Sequence, residues 1–284
     1  MKILVTGATG FIGNYVIDYL LSKGIKIIAT SRSLEKAKNS NWFGKVEYIP
    51  WTIGTPEPDD LFQQFGNPNS CIHLAWSGLS NFKDPKHKTV YFKNHYNFLK
   101  NLASQGVKKF SVTGTCLEYG MKEGALSENM IPNPTISYSI AKNDLRLALE
   151  KLQKKHEFNL DWIRLFYMFG KGQNPMSILS QLQRHIDQKK IIFNMSEGEQ
   201  VRDYLPVEKI AEFIVNLALQ IKGNGIVNCC SGNPIKIVDL VNNYLAERSA
   251  SIDLNLGYYP YTDYEPFEFW GSAKKLNITL NNAP

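Results

Sequence analysis

The strongest constraint on the fold is a glycine-rich turn near the start of the chain, within the run Thr6–Gly13. The β-branched segment Lys2–Thr6 before it predicts a strand, and Phe11–Ser22 after it has the apolar period of a helix. The first glycine permits a tight turn, the second lets a ligand approach the backbone, and the third lets helix and strand pack closely. A strand, turn and helix in this order predict a βα unit of a parallel sheet.

The N-terminus of that first helix is also suited to an anion, because its first N–H groups have no partner within the helix. The pyrophosphate of a dinucleotide fits this position. We therefore expect a dinucleotide to bind at the turn. The expected contacts are Gly7, Thr9, Gly10, Phe11, Ile12 and Gly13.

Short β-branched runs alternate with stretches of helical period along much of the chain, which is typical of βαβ units. Further strands are expected at Lys26–Thr30, Val46–Ile49, Ser70–Leu74, Lys109–Thr113, Asp161–Phe166 and Ile226–Cys229. Helices are expected at Lys88–Ser104, Ser137–His156, Met176–Gln188, Val207–Gln220 and Lys236–Glu247. The predicted fold class is α/β, a doubly wound parallel Rossmann sheet with a smaller C-terminal substrate-binding lobe.

The predicted Rossmann domain covers residues 1–170, with a returning segment at about 200–230. The substrate-binding lobe should consist mainly of residues 171–284, because the regular alternation fades after about Gly170. The tyrosine-rich tail Gly257–Phe269 contains two prolines and is expected to be irregular.

The composition argues against several other classes of protein. The formal charge of +6 is scattered over 284 residues, without the basic tract that a nucleic-acid partner requires. The four cysteines show neither zinc-site spacing nor a secretory disulfide framework, and the five histidines lack metal-ligand spacing. The first apolar run is too short to span a membrane. We expect a soluble cytoplasmic protein with no metal, nucleic acid or membrane partner.

The end of the second predicted strand bears on which dinucleotide binds. An Asp or Glu there would hold the two ribose hydroxyls of NAD, but this chain has Ser31 and Arg32. A guanidinium suits the extra 2′-phosphate of NADP, and no carboxylate stands there to repel it. The sequence therefore predicts NADP(H), with Arg32 as the main contact; a solvated arginine without a ligand is the alternative.

Tyr138 and Lys142 lie four residues apart on a predicted helix, so their side chains share one face. An ammonium so placed is expected to lower the pKa of the phenol, which could then exchange a proton near neutral pH. The pair follows the fifth strand of a chain that opens with a dinucleotide turn. It is therefore a candidate acid/base pair.

Several runs resemble an extended short-chain dehydrogenase/reductase, of the NAD-dependent epimerase/dehydratase family that works on nucleotide-activated sugars. The matching runs are Thr6–Gly13, His73–Trp76, Thr113–Gly120, Tyr138–Lys142, Arg164–Gly170, Gly198–Tyr204 and Asn228–Gly232. They extend over nearly the whole chain. In this order they point to the superfamily rather than to one substrate.

The resemblance implies roles for individual residues. Thr115 would hydrogen-bond the reacting oxygen, Tyr138 would be the acid/base, and Lys142 would bind the nicotinamide ribose. Ala75 and Asn94 match cofactor-lining positions, and Arg202 matches the arginine that commonly contacts the diphosphate, with a surface ion pair as its alternative. Ser31, Leu74 and Thr113 are further expected cofactor contacts, and Trp76, Cys116 and Glu118 are further candidate substrate contacts. A buried structural cysteine is the alternative for Cys116, and for Glu118 a structural carboxylate is favoured over a substrate contact. The family also implies a homodimer through the helices at Lys88–Ser104 and Ser137–His156.

The family includes reductases, epimerases and dehydratases, and the residues after Thr115 bear on the choice. Dehydratases of this kind carry Asp-Glu there, whereas this chain has Cys116 and Leu117. A reductase must exchange its cofactor with the cellular NADPH pool, which the Arg32 signal favours. The predicted activity is NADPH-dependent reduction of the 4-keto group of a nucleotide-linked 4-keto-6-deoxyhexose, resembling enzymes that form dTDP-fucose. The alternatives are a nucleotide-sugar 4-epimerase with retained NAD(P), and a non-catalytic NADP-sensing protein.

Overall fold

Seven parallel strands form one sheet in the computed structural model, which describes residues 1–281. In chain order the strands are β1 (Lys2–Thr6), β2 (Lys26–Ser31), β3 (Glu47–Pro50), β4 (Ser70–His73), β5 (Lys109–Thr115), β6 (Asn159–Leu165) and β7 (Gly225–Cys229). They lie side by side in the order β3-β2-β1-β4-β5-β6-β7. The winding reverses between β1 and β4, so the sheet is the doubly wound Rossmann arrangement that the sequence predicts.

Helices cover both faces of this sheet. In chain order the α-helices are α1 (Phe11–Ser22), α2 (Leu34–Lys38), α3 (Leu61–Gln64), α4 (Phe92–Gln105), α5 (Ser137–Gln153), α6 (Ile178–Asp187), α7 (Val207–Leu219), α8 (Ile237–Glu247) and α9 (Lys274–Asn281). Of these, α6 and α8 pack against each other and the smaller sheets. On one face, Val16 of α1 and Ile214 of α7 are buried in one apolar cluster. On the other face, Leu102 of α4 and Leu145 of α5 belong to a second cluster. Because both faces are covered, the strands are apolar almost throughout.

The chain after β6 returns to the main sheet through α7 and β7, and otherwise forms smaller sheets. A three-stranded sheet contains Tyr167–Phe169, Val201–Pro206 and Pro234–Lys236. Two-stranded sheets pair Ile192–Asn194 with Asp253–Asn255, and Gly124–Leu126 with Phe269–Gly271. The last pairing attaches the otherwise irregular tail Gly257–Phe269 to the segment that precedes α5.

The predicted elements differ from the structure mainly at their ends. The helix predicted at Lys88–Ser104 begins as a wide π-helical turn at His87–Tyr91 and then continues as α4. The short helices α2, α3 and α9 are not predicted, because four to eight residues contain too few apolar repeats to show a helical period. Within residues 1–281, none of the helices combines the length and the apolar character needed to cross a bilayer.

Candidate active site

A cavity of about 600 Å³ opens at the carboxyl ends of the central strands, where doubly wound sheets bind ligands. It extends from the glycine turn and the end of β2 to the end of β5 and the start of α5. The predicted site residues that line it are Gly7, Thr9, Gly10, Phe11, Ile12, Gly13, Ser31, Arg32, Leu74, Ala75, Trp76, Thr115, Cys116 and Tyr138. The predicted residues that lie outside its lining are Asn94, Thr113, Glu118, Lys142 and Arg202.

The glycine turn has no room for side chains at two of its positions. Gly7 has a φ of +70°, and a Cβ there would lie 2.8 Å from the backbone nitrogen of Ala75. A Cβ on Gly13 would lie 2.7 Å from the carbonyl oxygen of Ala8. Gly10 is the N-cap of α1 and offers no side-chain cap, so the first N–H groups of the helix remain for an anion. The turn therefore fits a pyrophosphate.

The cavity is basic where it meets the end of β2. Arg32 is exposed there, and Lys36 also lines the cavity. Ser33 caps α2 by accepting a hydrogen bond from the backbone N–H of Lys36 at 3.2 Å. The hydroxyl of Ser31 lies 3.0 Å from that of Tyr48. Within the described chain, no Asp or Glu lines this part of the cavity.

Tyr138 and Thr115 lie together at the other end of the cavity. The Tyr138 ring stacks on Phe82 with 5.0 Å between centroids, and its backbone N–H donates to the Phe82 carbonyl at 3.0 Å. Burial raises the pKa of the Tyr138 phenol, the charges of Glu118 and Cys116 raise it further, and the Thr115 hydroxyl lowers it in part. The phenol is therefore protonated at neutral pH and can act as a proton donor.

Lys142 is buried directly behind this end of the cavity, with 2% of its surface exposed. Its Nζ donates to the Thr113 carbonyl at 2.8 Å and lies 4.2 Å from the centroid of the Trp76 ring. Burial lowers the pKa of Lys142 to about 7, against an opposing effect of the Glu118 carboxylate. The pKa of Tyr138 is therefore raised and not lowered as the sequence suggests, because burial is the largest effect on both groups: it raises the pKa of the phenol and lowers that of the amine.

Trp76 contacts two histidines, His87 and His95, and a third, His73, lies behind them. Its ring stacks on His95 with 4.5 Å between centroids, and its indole N–H donates to Nδ1 of His87 at 3.0 Å. Nδ1 of His95 lies 2.8 Å from Nε2 of His73. Burial lowers the pKa of both rings, to about 3 for His73, and the nearby Lys142 lowers them further. His73 and His95 are therefore neutral at neutral pH. The contacts with His95 and His87 position Trp76 over Lys142.

Glu118 is a buried structural carboxylate, which is the role favoured from the sequence, and it does not line the cavity as a substrate contact would. It accepts hydrogen bonds from the backbone N–H of Thr115 at 2.9 Å and from the Trp162 indole at 3.0 Å. It also forms an ion pair with Nε of Arg164 at 2.8 Å, and both side chains of the pair are fully buried. A Cβ on Gly114 would collide with this carboxylate and with the indole. Glu118 therefore acts on the site through the position of Thr115.

Arg202, predicted to contact a diphosphate, is 2% exposed and lies behind the cavity wall. It donates to the backbone carbonyls of Val201 and Phe267 and forms an ion pair with Glu265 at 3.0 Å. Glu265 itself lines the cavity. No sequence motif points to Glu265, because it lies in the irregular tail and its partner is 63 residues away.

Two predicted cofactor contacts also face away from the cavity. The Thr113 hydroxyl donates to the His73 carbonyl at 3.3 Å, while the Thr113 carbonyl accepts from Lys142. Asn94 packs against Gly54, where an added Cβ would meet the Asn94 side chain. Thr113 therefore supports the site from behind by holding Lys142.

Residues 3–230 match the model of the NAD dependent epimerase/dehydratase family, and the chain belongs to this family. A relative from Aggregatibacter actinomycetemcomitans, dTDP-6-deoxy-L-talose 4-dehydrogenase (NAD(+)), is 32% identical over 274 residues, which cover 96% of this chain and 100% of the relative. GDP-6-deoxy-D-talose 4-dehydrogenase from the same species is 27% identical over 241 residues, covering 82% of this chain and 75% of the relative.

Solved structures share the fold at lower identity. UDP-glucuronic acid 4-epimerase from Bacillus cereus, in complex with UDP-glucuronic acid and NAD, superposes with a TM-score of 0.83 at 21% identity, covering 100% of this chain and 94% of its own. MoeE5 in complex with UDP-glucose and NAD gives a TM-score of 0.82 at 20% identity, covering 99% and 92%. These likenesses agree with the Rossmann fold of the central sheet.

The buried Lys142 predicts a stability that depends on pH. Its pKa is about 7 in the folded chain and 10.5 when unperturbed. Between these two pH values the unfolded chain binds more protons than the folded chain. The contribution of Lys142 to the free energy of unfolding should therefore increase as the pH rises from the lower value to the higher one. Lys142→Met should remove up to about 2.5 kcal/mol of this rise between pH 7 and 9. Denaturant unfolding of both proteins at pH 7 and at pH 9 measures this rise in the free energy of unfolding.

The control for this measurement is Lys151→Met, which changes an exposed lysine of the same helix. It should leave the rise unchanged. Equal rises in the wild type and in Lys142→Met would contradict the expectation.

The buried pair of Glu118 and Arg164 predicts a large loss of stability on removal of one charge. Glu118→Gln leaves the guanidinium without a counterion, which costs about 3–5 kcal/mol for buried pairs. Urea unfolding measures the loss, and Glu123→Gln, at an exposed carboxylate of the same region, is the control. A Glu118→Gln protein as stable as the control would show that the pair is not stabilising.

Proposed function

We propose that the protein catalyses the NADPH-dependent reduction of the 4-keto group of a nucleotide-linked 4-keto-6-deoxyhexose. The observation that carries this proposal is one cavity that contains Thr115 and Tyr138 at one end and the glycine turn at the other. The relative named dTDP-6-deoxy-L-talose 4-dehydrogenase supports C4 as the reacting carbon and a 6-deoxy sugar as the class of substrate. Oxidation of a 4-hydroxyl is the reverse of reduction of a 4-keto group.

The residues at the turn fit the cofactor, because the backbone at Gly7 and Gly13 leaves no space for side chains and α1 has no side-chain cap. The nicotinamide cofactor, when bound, supplies the hydride. The protonated Tyr138 phenol donates its proton to the sugar oxygen. The Thr115 hydroxyl donates a hydrogen bond to the same oxygen and stabilises the negative charge that develops there. Lys142 is the proposed ligand of the cofactor ribose.

The choice of NADP(H) rests on Arg32 and Lys36, two cations on the cavity wall near the end of β2. A 2′-phosphate would gain charge-assisted hydrogen bonds from them. The named relative uses NAD(+), as its name states. The proposal therefore includes a difference in cofactor between this chain and that relative, and it is open to direct measurement.

A nucleotide-sugar 4-epimerase is the second candidate, since a UDP-glucose 4-epimerase from Erwinia amylovora is 23% identical over 320 residues. An epimerase would convert its substrate without net consumption of NADPH, whereas a reductase consumes one NADPH per sugar. A protein that only senses NADP would do neither. The paired hydroxyls of Thr115 and Tyr138 favour catalysis, because a sensor does not need a proton donor.

The proposal also covers the oligomeric state of the protein, its location in the cell and the role of its C-terminal lobe. A homodimer would form through α4 and α5, which pack against each other and leave Leu147 exposed on α5. The cytoplasm is the proposed location. Residues 171–284 would supply most of the contacts to the nucleotide sugar, apart from the stretch that returns to the main sheet.

Tyr138→Phe removes the proton donor while it keeps the ring that stacks on Phe82. Turnover should fall by about two to four decades, the usual contribution of general acid catalysis. Loss of NADPH absorbance with dTDP-4-keto-6-deoxyglucose measures turnover, and NADPH binding should be unchanged. The control is Tyr258→Phe, at a tyrosine that is 57% exposed. Unchanged turnover in Tyr138→Phe would end the proposed mechanism.

Arg32→Ala tests the choice of cofactor. The affinity for NADPH should fall by about tenfold to a hundredfold, as expected for a lost hydrogen bond between charged groups, while NADH affinity should stay the same. Titration of the protein with each cofactor measures both values. Lys38→Ala, at an exposed lysine outside the cavity lining, is the control. Equal wild-type affinities for NADPH and NADH would remove Arg32 from this role.

A further inference from the structure

Glu265 brings a carboxylate to the reactive end of the cavity from the irregular tail. Among the cavity-lining residues of the described chain, it is the only Asp or Glu. Its side chain is 13% exposed, so the carboxylate faces the cavity while most of its surface is covered. Neither the glycine turn nor the Tyr138 helix requires an acidic group at this position.

The position of Glu265 is fixed from both sides. Its carboxylate pairs with Arg202, whose guanidinium is in turn held by the backbone carbonyls of Val201 and Phe267. The strand that begins at Phe269 pairs in parallel with the segment before α5. A carboxylate held in place by these contacts can discriminate between ligands, because moving it would break its ion pair with Arg202.

The charge of Glu265 acts on Cys116 and Tyr167, which line the same cavity. Burial raises the pKa of the Cys116 thiol and of the Tyr167 phenol; the Glu265 carboxylate is the next cause of the rise, and the Arg202 guanidinium partly opposes it. Cys116 directly follows Thr115 in the chain. Glu265 is therefore close to the place where the sugar would lie in the proposed reaction.

The remaining walls at this end are mostly apolar. They include Leu79, Phe82, Phe166 and Tyr167. Such walls suit the methyl group of a 6-deoxy sugar. They also reduce the effective dielectric constant, which strengthens any charge repulsion inside the cavity.

We propose that Glu265 determines substrate class at this site, by accepting a hydrogen bond from a neutral sugar and excluding nucleotide sugars that carry a carboxylate at C6. The inference rests on the proposed function, since it needs a nucleotide sugar in the cavity. Arg202 is already paired with Glu265 and is not free to neutralise a second carboxylate. Two like charges in an apolar, partly enclosed cavity repel each other, and this repulsion selects against a hexuronate.

The test compares two ligands that differ only at C6, dTDP-6-deoxyglucose and dTDP-glucuronate. Calorimetry with the NADPH-saturated protein gives the two dissociation constants for the wild type, Glu265→Gln and the control Glu268→Gln, which changes an exposed carboxylate of the same tail. The wild type and the control should bind the 6-deoxy sugar at least about tenfold more tightly, and Glu265→Gln should reduce this preference by about tenfold.

A preference that is unchanged in Glu265→Gln would overturn the inference. Equal tightening of both ligands would also overturn it, because Glu265 would then only shield Arg202 from the diphosphate. If Glu265→Gln does not fold, the double variant Arg202→Met/Glu265→Gln removes both charges and tests the same preference. Binding does not require turnover, so a protein that discriminates but does not consume NADPH would refute the proposed function and leave this inference intact.

Discussion

The reactive end of the cavity depends on the buried carboxylate of Glu118. It binds the backbone N–H of Thr115 at the end of β5, and it binds Trp162 and Arg164 on the adjacent strand β6. Removing an ion pair from water is costly, and the cost is offset only when hydrogen bonds satisfy the remaining polar atoms. Three donors satisfy the carboxylate, whereas Nη1 and Nη2 of Arg164 have no hydrogen-bond partner within the described residues, so the cost is only partly offset. These contacts join the ends of two parallel strands into a support for the Thr115 backbone.

Burial, rather than the distance between charges, controls the chemistry around Tyr138. The sequence suggests a simple electrostatic pair with Lys142, and in the folded chain each group has lost most of its water. The uncharged forms of both groups are then favoured, so the phenol keeps its proton and the amine of Lys142 loses its proton more readily. Trp76 contributes to this arrangement, because its ring centroid lies 4.2 Å from the amine.

Features built from neighbouring residues could be predicted from the sequence, and those built from distant ones could not. The glycine turn depends on a short motif whose geometry follows from local backbone rules, whereas the meeting of Thr115 with Tyr138 is expected only from the family resemblance. Arg202 matches a family position for a ligand and Glu118 is a candidate ligand, yet each is buried against a partner at least 46 residues away. Whether a side chain faces a cavity or its supporting wall depends on tertiary packing, which periodicity does not report.

The parallel pairing of Phe269–Gly271 with Gly124–Leu126 has a consequence for how this chain can diversify. It holds the stretch Gly257–Phe269 next to the candidate reaction centre, while the following helix α9 packs into the core of the main sheet through Leu276. Besides this pairing, the ion pairs Arg202–Glu265 and Lys83–Asp263 and the buried ring of Phe269 join the stretch to the rest of the molecule. Substitutions confined to this stretch would therefore alter one wall of the cavity, while the order of strands in the main sheet stays the same.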